Sequence, residues 1–362
     1  MPDTIDVAVV GLNFGAEFVP IYRNHPAVGR VAIVDQNEAV LHQVGEKYEL
    51  TDRFTTLDAL LATEKWDAVH ITTPVTTHGA LALKVLQSGR HCASAVPMAL
   101  SIEEMHEIIR VSDANMCNYM MMETSVYARE FFYVSDIWTH GEIGDLTYFT
   151  GSHIQNHDGY PAYWMGFPPM AYVTHALSPA LRLSESTVVS VSCHGTGSLE
   201  PGQKGTFDNQ FPVELGLFRL SQGDLTASIT MSWFQTARSY QEGFSVYGTR
   251  ASIEWPQMEG DPLTKFTILD VEPGLRGRRS KVERIEAPMR ADGLPEQISQ
   301  FASSTSHGGS HPHLVHEFVS SILQRRPASI DARTAAEWTA PGLCAHKSAM
   351  AGGDPVLVSS FR

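Results

Sequence analysis

The first third of the chain alternates short apolar runs with amphipathic ones. Ile5 and Val7 to Val10 predict a strand over 5–10, and the spacing behind them predicts a helix over 15–24. Strands over 30–35, 66–72, 91–94 and 118–122 follow, interleaved with helical spacing over 38–48, 57–63, 77–88 and 102–115. This rhythm implies a parallel sheet with helices on both faces. Between Glu123 and Tyr127 the pattern changes. Alternating or β-rich runs over 145–155, 187–194, 212–220, 225–234, 244–247 and 265–269, separated by turns such as Ser221-Gln222-Gly223-Asp224, predict a large, mostly antiparallel sheet. Two helices close the chain, over 313–323 and 334–349, the first with Leu314, Val315, Phe318, Val319, Ile322 and Leu323 on one stripe. Long polar loops fall at 197–210 and 273–310.

The first strand runs into Gly11-Leu12-Asn13-Phe14-Gly15-Ala16, and Asp35 closes the next strand. A helix N-terminus after such a turn offers unpaired N–H groups to a pyrophosphate. Gly11 permits the tight turn, and Gly15 or Ala16 permits close helix–strand packing. Asn13 stands where a middle glycine is usual, and Asn tolerates left-handed backbone better than most residues. Asp35 suits the adenosine ribose hydroxyls and would repel a 2′-phosphate. No Arg or Lys lies in Gln36-Asn37-Glu38-Ala39, so NAD is expected over NADP. The expected fold is an α/β Rossmann dinucleotide-binding domain over 1–124 plus an α+β domain over 125–362 with a large, mostly antiparallel open sheet. The C-terminal helices of the second domain can pack back on the first.

At 362 residues the chain can hold two such cores, and 43% hydrophobic with 18% charged residues is an ordinary globular composition. A formal charge of −14 argues against nucleic acid or an anionic membrane as the main partner. Cys92, Cys117, Cys193 and Cys344 are scattered, without metal-binding spacing, and fit a reducing cytoplasm. The early first strand leaves no room for a signal peptide, and no apolar run approaches the ~20 residues of a membrane helix.

Further motifs carry a resemblance. They are Ile71-Thr72-Thr73-Pro74 with His78, Gly89-Arg90-His91 before Pro97-Met98-Ala99, Gly248-Thr249-Arg250, and Ala345-His346-Lys347-Ser348-Ala349. In order and spacing, together with the Gly11 turn, they resemble the glucose–fructose oxidoreductase and inositol dehydrogenase (Gfo/Idh/MocA) family over nearly the whole chain. The resemblance implies an NAD(P)-dependent enzyme acting on ring carbons of sugars and polyols, with Thr72, Thr73, Pro74, His78, Val96 and Pro97 beside the cofactor. For His78, capping is an equal reading. Two departures stand out. Ala95-Val96-Pro97 occupies the place of the family's Glu-Lys-Pro, whose lysine helps move the substrate proton, and Ala171 stands where an Asp usually precedes the site histidine, here His175.

His175 is the candidate base or substrate ligand, against the plainer reading of a core histidine; Tyr172, one turn away, and Tyr127 are further candidates. Pro168 and Pro169 suit the first turn of a helix carrying them. His153, Asn156, His157, Tyr163 and Trp164 crowd one aromatic and polar stretch, read as a loop over 153–164, suited to stacking and hydrogen-bonding a sugar. Arg129 is a substrate contact or a salt-bridge residue. His307 and His311 are candidates for the substrate cleft or for helix capping, and without a nearby Cys or carboxylate they argue for no metal. The expected function is NAD-dependent oxidation of a sugar or glycoside at a ring carbon. The family also includes redox-cycling glycosidases, some for sulfosugars, in which oxidation at carbon 3 acidifies the neighbouring C–H. The aglycone is then eliminated, water adds, and the hydride returns. A plain dehydrogenase and a non-catalytic NAD-binding regulator are the alternatives. A homodimer or homotetramer is expected, through the uncovered face of the second sheet.

Overall fold

The computed structural model describes residues 4–361 except Glu64, Leu275 and Thr305. In chain order its main elements are β1 (Ile5–Val10), α1 (Leu12–Gly15), α2 (Val19–Asn24), β2 (Val28–Val34), α3 (Glu38–Lys47), β3 (Arg53–Phe54), α4 (Leu57–Leu61), β4 (Ala68–Ile71), α5 (His78–Gln87), β5 (His91–Ser94), α6 (Ile102–Asn115) and β6 (Tyr119–Met121). There follow α7 (Arg129–Thr139), β7 (Leu146–Ile154), α8 (Thr174–Ser184), β8 (Val188–Thr196), β9 (Val213–Leu220), β10 (Thr226–Ser232), β11 (Gln241–Gly248), β12 (Ala251–Glu254), β13 (Leu263–Ile268), β14 (Ser280–Ile285), α9 (Glu296–Ser299), α10 (His311–Leu323), α11 (Ala332–Met350) and β15 (Val356–Leu357).

Two compact units result. The first runs to Tyr127 and takes back Ala291–Ala336 and Phe361; the second holds Ala128–Arg290 and Glu337–Ser360. The unit boundary therefore differs from a simple cut after residue 124. Leu314, Val315, Phe318 and Val319 of α10 are buried in the same core as Val7, Val9, Phe18, Tyr22 and Ile33.

In the first unit the strand order is β3-β2-β1-β4-β5-β6, all parallel. This is the doubly wound order in which ligands bind at the carboxyl ends of β1 and β4, where the winding reverses. The helix expected over 15–24 is broken into α1 and α2. Pro20 stands in the first turn of α2 and has no N–H to extend a helix back to Ala16, so the chain turns at Ala16–Phe18.

The second unit is built on a nine-stranded sheet, β14-β13-β12-β11-β7-β10-β9-β8-β15. Only the β7–β10 pair is parallel among its described pairings. α8 packs across β7, β10 and β11. It can approach that closely because residue 151 is glycine: a Cβ there would fall 2.1 Å from the Ala176 carbonyl oxygen. On the opposite face Tyr148, Leu215 and Leu217 are exposed, and Tyr148 stacks on Tyr247 at 4.1 Å. The stretch 273–310 is not a single loop, since it contains β14 and α9. No helix of the described residues is long and apolar enough to cross a membrane.

Four buried histidines give the fold an acid sensitivity. Burial first, and a neighbouring ring second, push His25 down to about 4 and His70, His157 and His311 down to about 3. These rings are neutral when folded and protonate near 6.5 when unfolded, so their stabilisation is complete above pH 6.5 and is lost as the pH falls toward 4. Each contributes a slope on the order of 1 kcal/mol per pH unit in that window. The urea midpoint is expected to fall between about pH 7 and about pH 5. An unchanged midpoint would show that these rings are already charged in the fold.

Candidate functional site

The first unit shapes a turn that has room only for glycine at its corners. Gly11 has φ 90°, and a Cβ on it would meet the Thr72 carbonyl and Thr73 nitrogen at 2.9 Å. A Cβ on Gly15 would fall 2.3 Å from Thr72 Oγ1. Thr72 fastens the turn, its Oγ1 reaching the Gly11 carbonyl at 2.6 Å. Asp35 accepts from the Leu12 N–H at 2.8 Å and from Asn37 N–H at 2.8 Å. The next two N–H groups, of Asn13 and Phe14, have no protein acceptor among the described residues. This cradle fits a dinucleotide, with its pyrophosphate on the turn and its ribose at Asp35.

His78 is 2% exposed, with Nδ1 3.0 Å from the Pro97 carbonyl and Nε2 2.8 Å from the Thr73 carbonyl. It ties the segment after β4 to the one after β5, which positions Pro74, Val96 and Pro97. Val96 is buried and offers no proton. The hydroxyl of Tyr127 is bonded to Ser329 Oγ, so this tyrosine is a structural tie within the first unit.

On the helix-covered face of the second sheet, the register places His153 on β7 directly opposite Glu242 on β11 and Met231 on β10. His153 thus lies in the strand expected over 145–155, and the loop expected over 153–164 begins only after Ile154. Pro169 opens a 3-10 turn, Pro169–Tyr172, rather than the main helix. α8 begins at Thr174, so His175 sits in its first turn. Nδ1 of His175 lies 3.6 Å from Oε1 of Glu242, and both side chains are nearly buried. The other oxygen of Glu242 accepts from the Tyr240 hydroxyl at 2.5 Å. One donor atom from each of His153, His175 and Glu242 falls within 4.8 Å of the others.

Aromatic rings surround this group. Trp233 is fully buried, with its centroid 4.9 Å from His153 and 5.8 Å from Tyr172. Tyr172 lies edge-on to His175 at 5.2 Å and to Trp164 at 5.4 Å. His157 stacks between Tyr160 and Trp233 at 4.8 and 4.5 Å. Tyr163 tilts against Trp164, and Asn156 caps the following turn through Asp158 N–H. Arg129 opens α7. Burial, then the Glu242 charge, pushes the Tyr240 hydroxyl far up, so it stays a donor to Glu242.

His307 and His311 fall in the first unit, where their rings face Phe14 of the nucleotide turn at 5.7 Å each. The carboxylate that the neighbouring sequence lacks is supplied from afar by Glu17, whose Oε2 is 3.5 Å from Nδ1 of His311. The sequence reading missed Glu242, Tyr240 and Trp233. Extending the alternation of Phe244 and Val246 back by one step would have put Glu242 on the buried face.

A doubly wound unit with a dinucleotide turn, followed by a second unit whose open sheet bears a buried histidine–carboxylate pair among aromatic rings, defines a two-unit fold with a dinucleotide-binding unit. Residues 5–123 match the model of an oxidoreductase family with an NAD-binding Rossmann fold, Gfo/Idh/MocA. Residues 5–123 are thus similar to the NAD-binding domain of that family. A glycosyl hydrolase family 109 protein of Shewanella baltica is 29% identical over 162 residues, covering 42% of this chain; the match spans 35% of that relative's length. A protein of the same name from Solibacter usitatus is 22% identical over 329 residues, 82% of this chain and 71% of the relative. Levoglucosan dehydrogenase in complex with NADH and levoglucosan shares the fold, with a TM-score of 0.80 at 17% identity over 99% of this chain and 100% of that one.

NAD is therefore expected to bind more tightly than NADP. Asp35→Ala is expected to weaken NAD about tenfold, the value of a charge-assisted hydrogen bond, and to narrow the gap. Equal affinity of the wild type for both in calorimetry would contradict this role of Asp35.

Proposed function

We propose that the protein is an NAD-dependent enzyme that oxidises a ring hydroxyl of a carbohydrate. The observation that carries this reading is the His175–Glu242 pair, 3.6 Å apart and set among buried aromatic rings. NAD, held by Gly11, Asn13, Phe14, Gly15 and Asp35, supplies a hydride acceptor when bound. His175 takes the hydroxyl proton. The Glu242 carboxylate, 3.6 Å from Nδ1, favours a proton on that nitrogen, which leaves Nε2 basic, and its charge stabilises the imidazolium that forms. Tyr240 keeps Glu242 oriented. Tyr172 and Trp164 offer rings to the C–H faces of a sugar, and Trp233, fully buried behind them, backs His153 and His157 and excludes water. His153, beside His175 at 5.5 Å, and His157 add polar edges for hydroxyls.

Two outcomes fit this step: net release of a ketosugar, or redox-neutral hydrolysis of a glycoside. The second is favoured by the name of the relatives and by the sequence itself, which has Val96 and Ala171 where the family resemblance leads one to expect a lysine and an aspartate. A sulfosugar glycoside is among its candidate substrates. The test is a panel of aryl glycosides and free sugars, with and without NAD, followed by nicotinamide absorbance and aglycone release together. Aglycone release that requires NAD without net NADH supports hydrolysis, and steady NADH from free sugars makes the protein a plain dehydrogenase. Neither signal across the panel would favour a non-catalytic NAD-binding regulator.

The exposed apolar face of the second sheet, with Tyr148, Leu215 and Leu217, supports assembly as a homodimer or homotetramer. Light scattering at micromolar concentration is expected to give a multiple of the chain mass; a monomer contradicts it.

A further inference from the structure

A second group of metal-ligating side chains lies in the first unit and takes no part in the chemistry above. Glu17 stands in the turn between α1 and α2, His307 lies just before α10, and His311 is the first residue of α10. One donor atom from each falls within 4.8 Å of the other two. Ser306 Oγ donates to Glu17 Oε2 at 3.2 Å and lies 3.0 Å from Nδ1 of His307. A hydroxyl has a single hydrogen. With that hydrogen on Glu17, the serine oxygen accepts from Nδ1–H of His307, which leaves the lone pair of His307 on Nε2. A hydrogen bond of this kind, which fixes the tautomer and angle of a ring, commonly backs a metal-bound histidine.

His311 supplies the independent sign. It is 6% exposed, and its Nε2 has no hydrogen-bond partner among the described residues. Buried polar atoms are satisfied in the great majority of cases, and an orphan on a ring whose other nitrogen faces Glu17 at 3.5 Å and which packs against His307 at 5.2 Å calls for a partner. Glu17, Ser306 and His311 also line a cavity of about 190 Å³ together with Ile21 and Phe301. That cavity gives an ion a way in and space for the water that completes its shell.

We propose that Glu17, His307 and His311 bind a divalent transition-metal ion. Two imidazoles, one carboxylate and a water are the donor set of Zn²⁺, and the hard, all-oxygen sites of Mg²⁺ or Ca²⁺ are excluded by the same chemistry. The ion ties the segment before α10 to the turn that follows the glycine loop. Phe14 belongs to that loop, and its ring packs against both imidazoles. Metal and NAD are therefore coupled, each raising the affinity for the other.

The test uses the full chain, freed of metal by dialysis against a chelator and titrated with Co²⁺ as a spectroscopic probe. One equivalent is expected to give the visible absorption of low-symmetry Co²⁺ and to be displaced by Zn²⁺, which also raises the melting midpoint. Glu17→Gln and His307→Ala alter accessible positions and are expected to weaken Co²⁺ at least roughly tenfold. Glu242→Gln, in the other histidine–carboxylate group, leaves Co²⁺ binding unchanged. Absence of stoichiometric Co²⁺ and Zn²⁺ binding overturns the site and makes the approach of Glu17 to His311 a simple polar contact. Binding retained in both Glu17→Gln and His307→Ala, or lost in Glu242→Gln, overturns the assignment to these residues. Equal NAD affinity with and without Zn²⁺ overturns the coupling to Phe14. None of these readouts depends on a carbohydrate substrate, so they stand whatever the panel of sugars returns.

Discussion

Replacing His175 with alanine is expected to lower turnover about 10²-fold or more, the usual value of a positioned base, while leaving NAD affinity nearly unchanged. The two readouts separate because NAD is held in the first unit and His175 belongs to the second. Glu242→Gln is expected to cost less, since an amide still fills the space beside Nδ1 but no longer stabilises the imidazolium. It also receives the Tyr240 hydroxyl in place of a carboxylate. Full turnover in His175→Ala would move the proton acceptor to His153 or Tyr172, whose rings lie 5.5 and 5.2 Å from His175.

The largest stability effect is expected at His346. Glu214 is fully buried on β9, and its carboxylate accepts from His346 Nδ1 at 2.6 Å and from Met170 N–H at 2.7 Å. It thereby joins α11 and the Pro169–Tyr172 turn to the sheet. Burial favours the neutral ring of His346, but the bond to Glu214 outweighs it and holds the pKa above the ordinary value. His346→Leu leaves a buried carboxylate with only a backbone partner. Breaking a buried pair in this way costs about 3–5 kcal/mol. Urea denaturation of the variant is the measurement. The double change with Glu214→Leu is expected to recover part of the loss, because the stranded charge goes too. The pH dependence runs opposite to that of the four neutral buried histidines. With its folded pKa raised, His346 contributes most below pH 6.5, and the contribution is lost as the pH rises through the folded value. A loss in His346→Leu no larger than that of a surface change would show that Glu214 is satisfied without it.

The nucleotide turn was legible in the sequence because its constraints are local. Gly11, Gly15 and Asp35 lie within one β–turn–α–β stretch, and each has a steric or charge requirement that the order of residues displays. The break at Ala16–Phe18 was legible in principle, since Pro20 is visible, but the apolar spacing of Ala16 to Arg23 masked it. α7 was hidden for the opposite reason. Phe131, Phe132, Tyr133, Val134, Ile137 and Trp138 favour strands as much as helices, and they precede a β-rich run. β14 was hidden by its charge. Lys281, Glu283 and Arg284 resemble a solvated loop, and only pairing with β13 makes the segment a strand.

The candidate site was half legible. His175 and Tyr172 lie one turn apart and could be found together. Glu242 could not be tied to them, because its place depends on the register of β11 against β7, about ninety residues upstream. Glu17 and His307 are still further apart along the chain, and only the return of the C-terminal segment into the first unit brings them together.

The most direct test of the proposed chemistry is isotope transfer from the first substrate that the glycoside and sugar panel returns. The substrate carries deuterium at the ring carbon to be oxidised, carbon 3 in the first instance. It is mixed with enzyme and NAD in a single turnover, and the nicotinamide is analysed by mass spectrometry. The account predicts deuterium on the reduced nicotinamide and a slower reaction than with the unlabelled substrate, both strongly diminished in His175→Ala. Turnover at the same rate with labelled and unlabelled substrate, with no deuterium in the nicotinamide at any time, would contradict it.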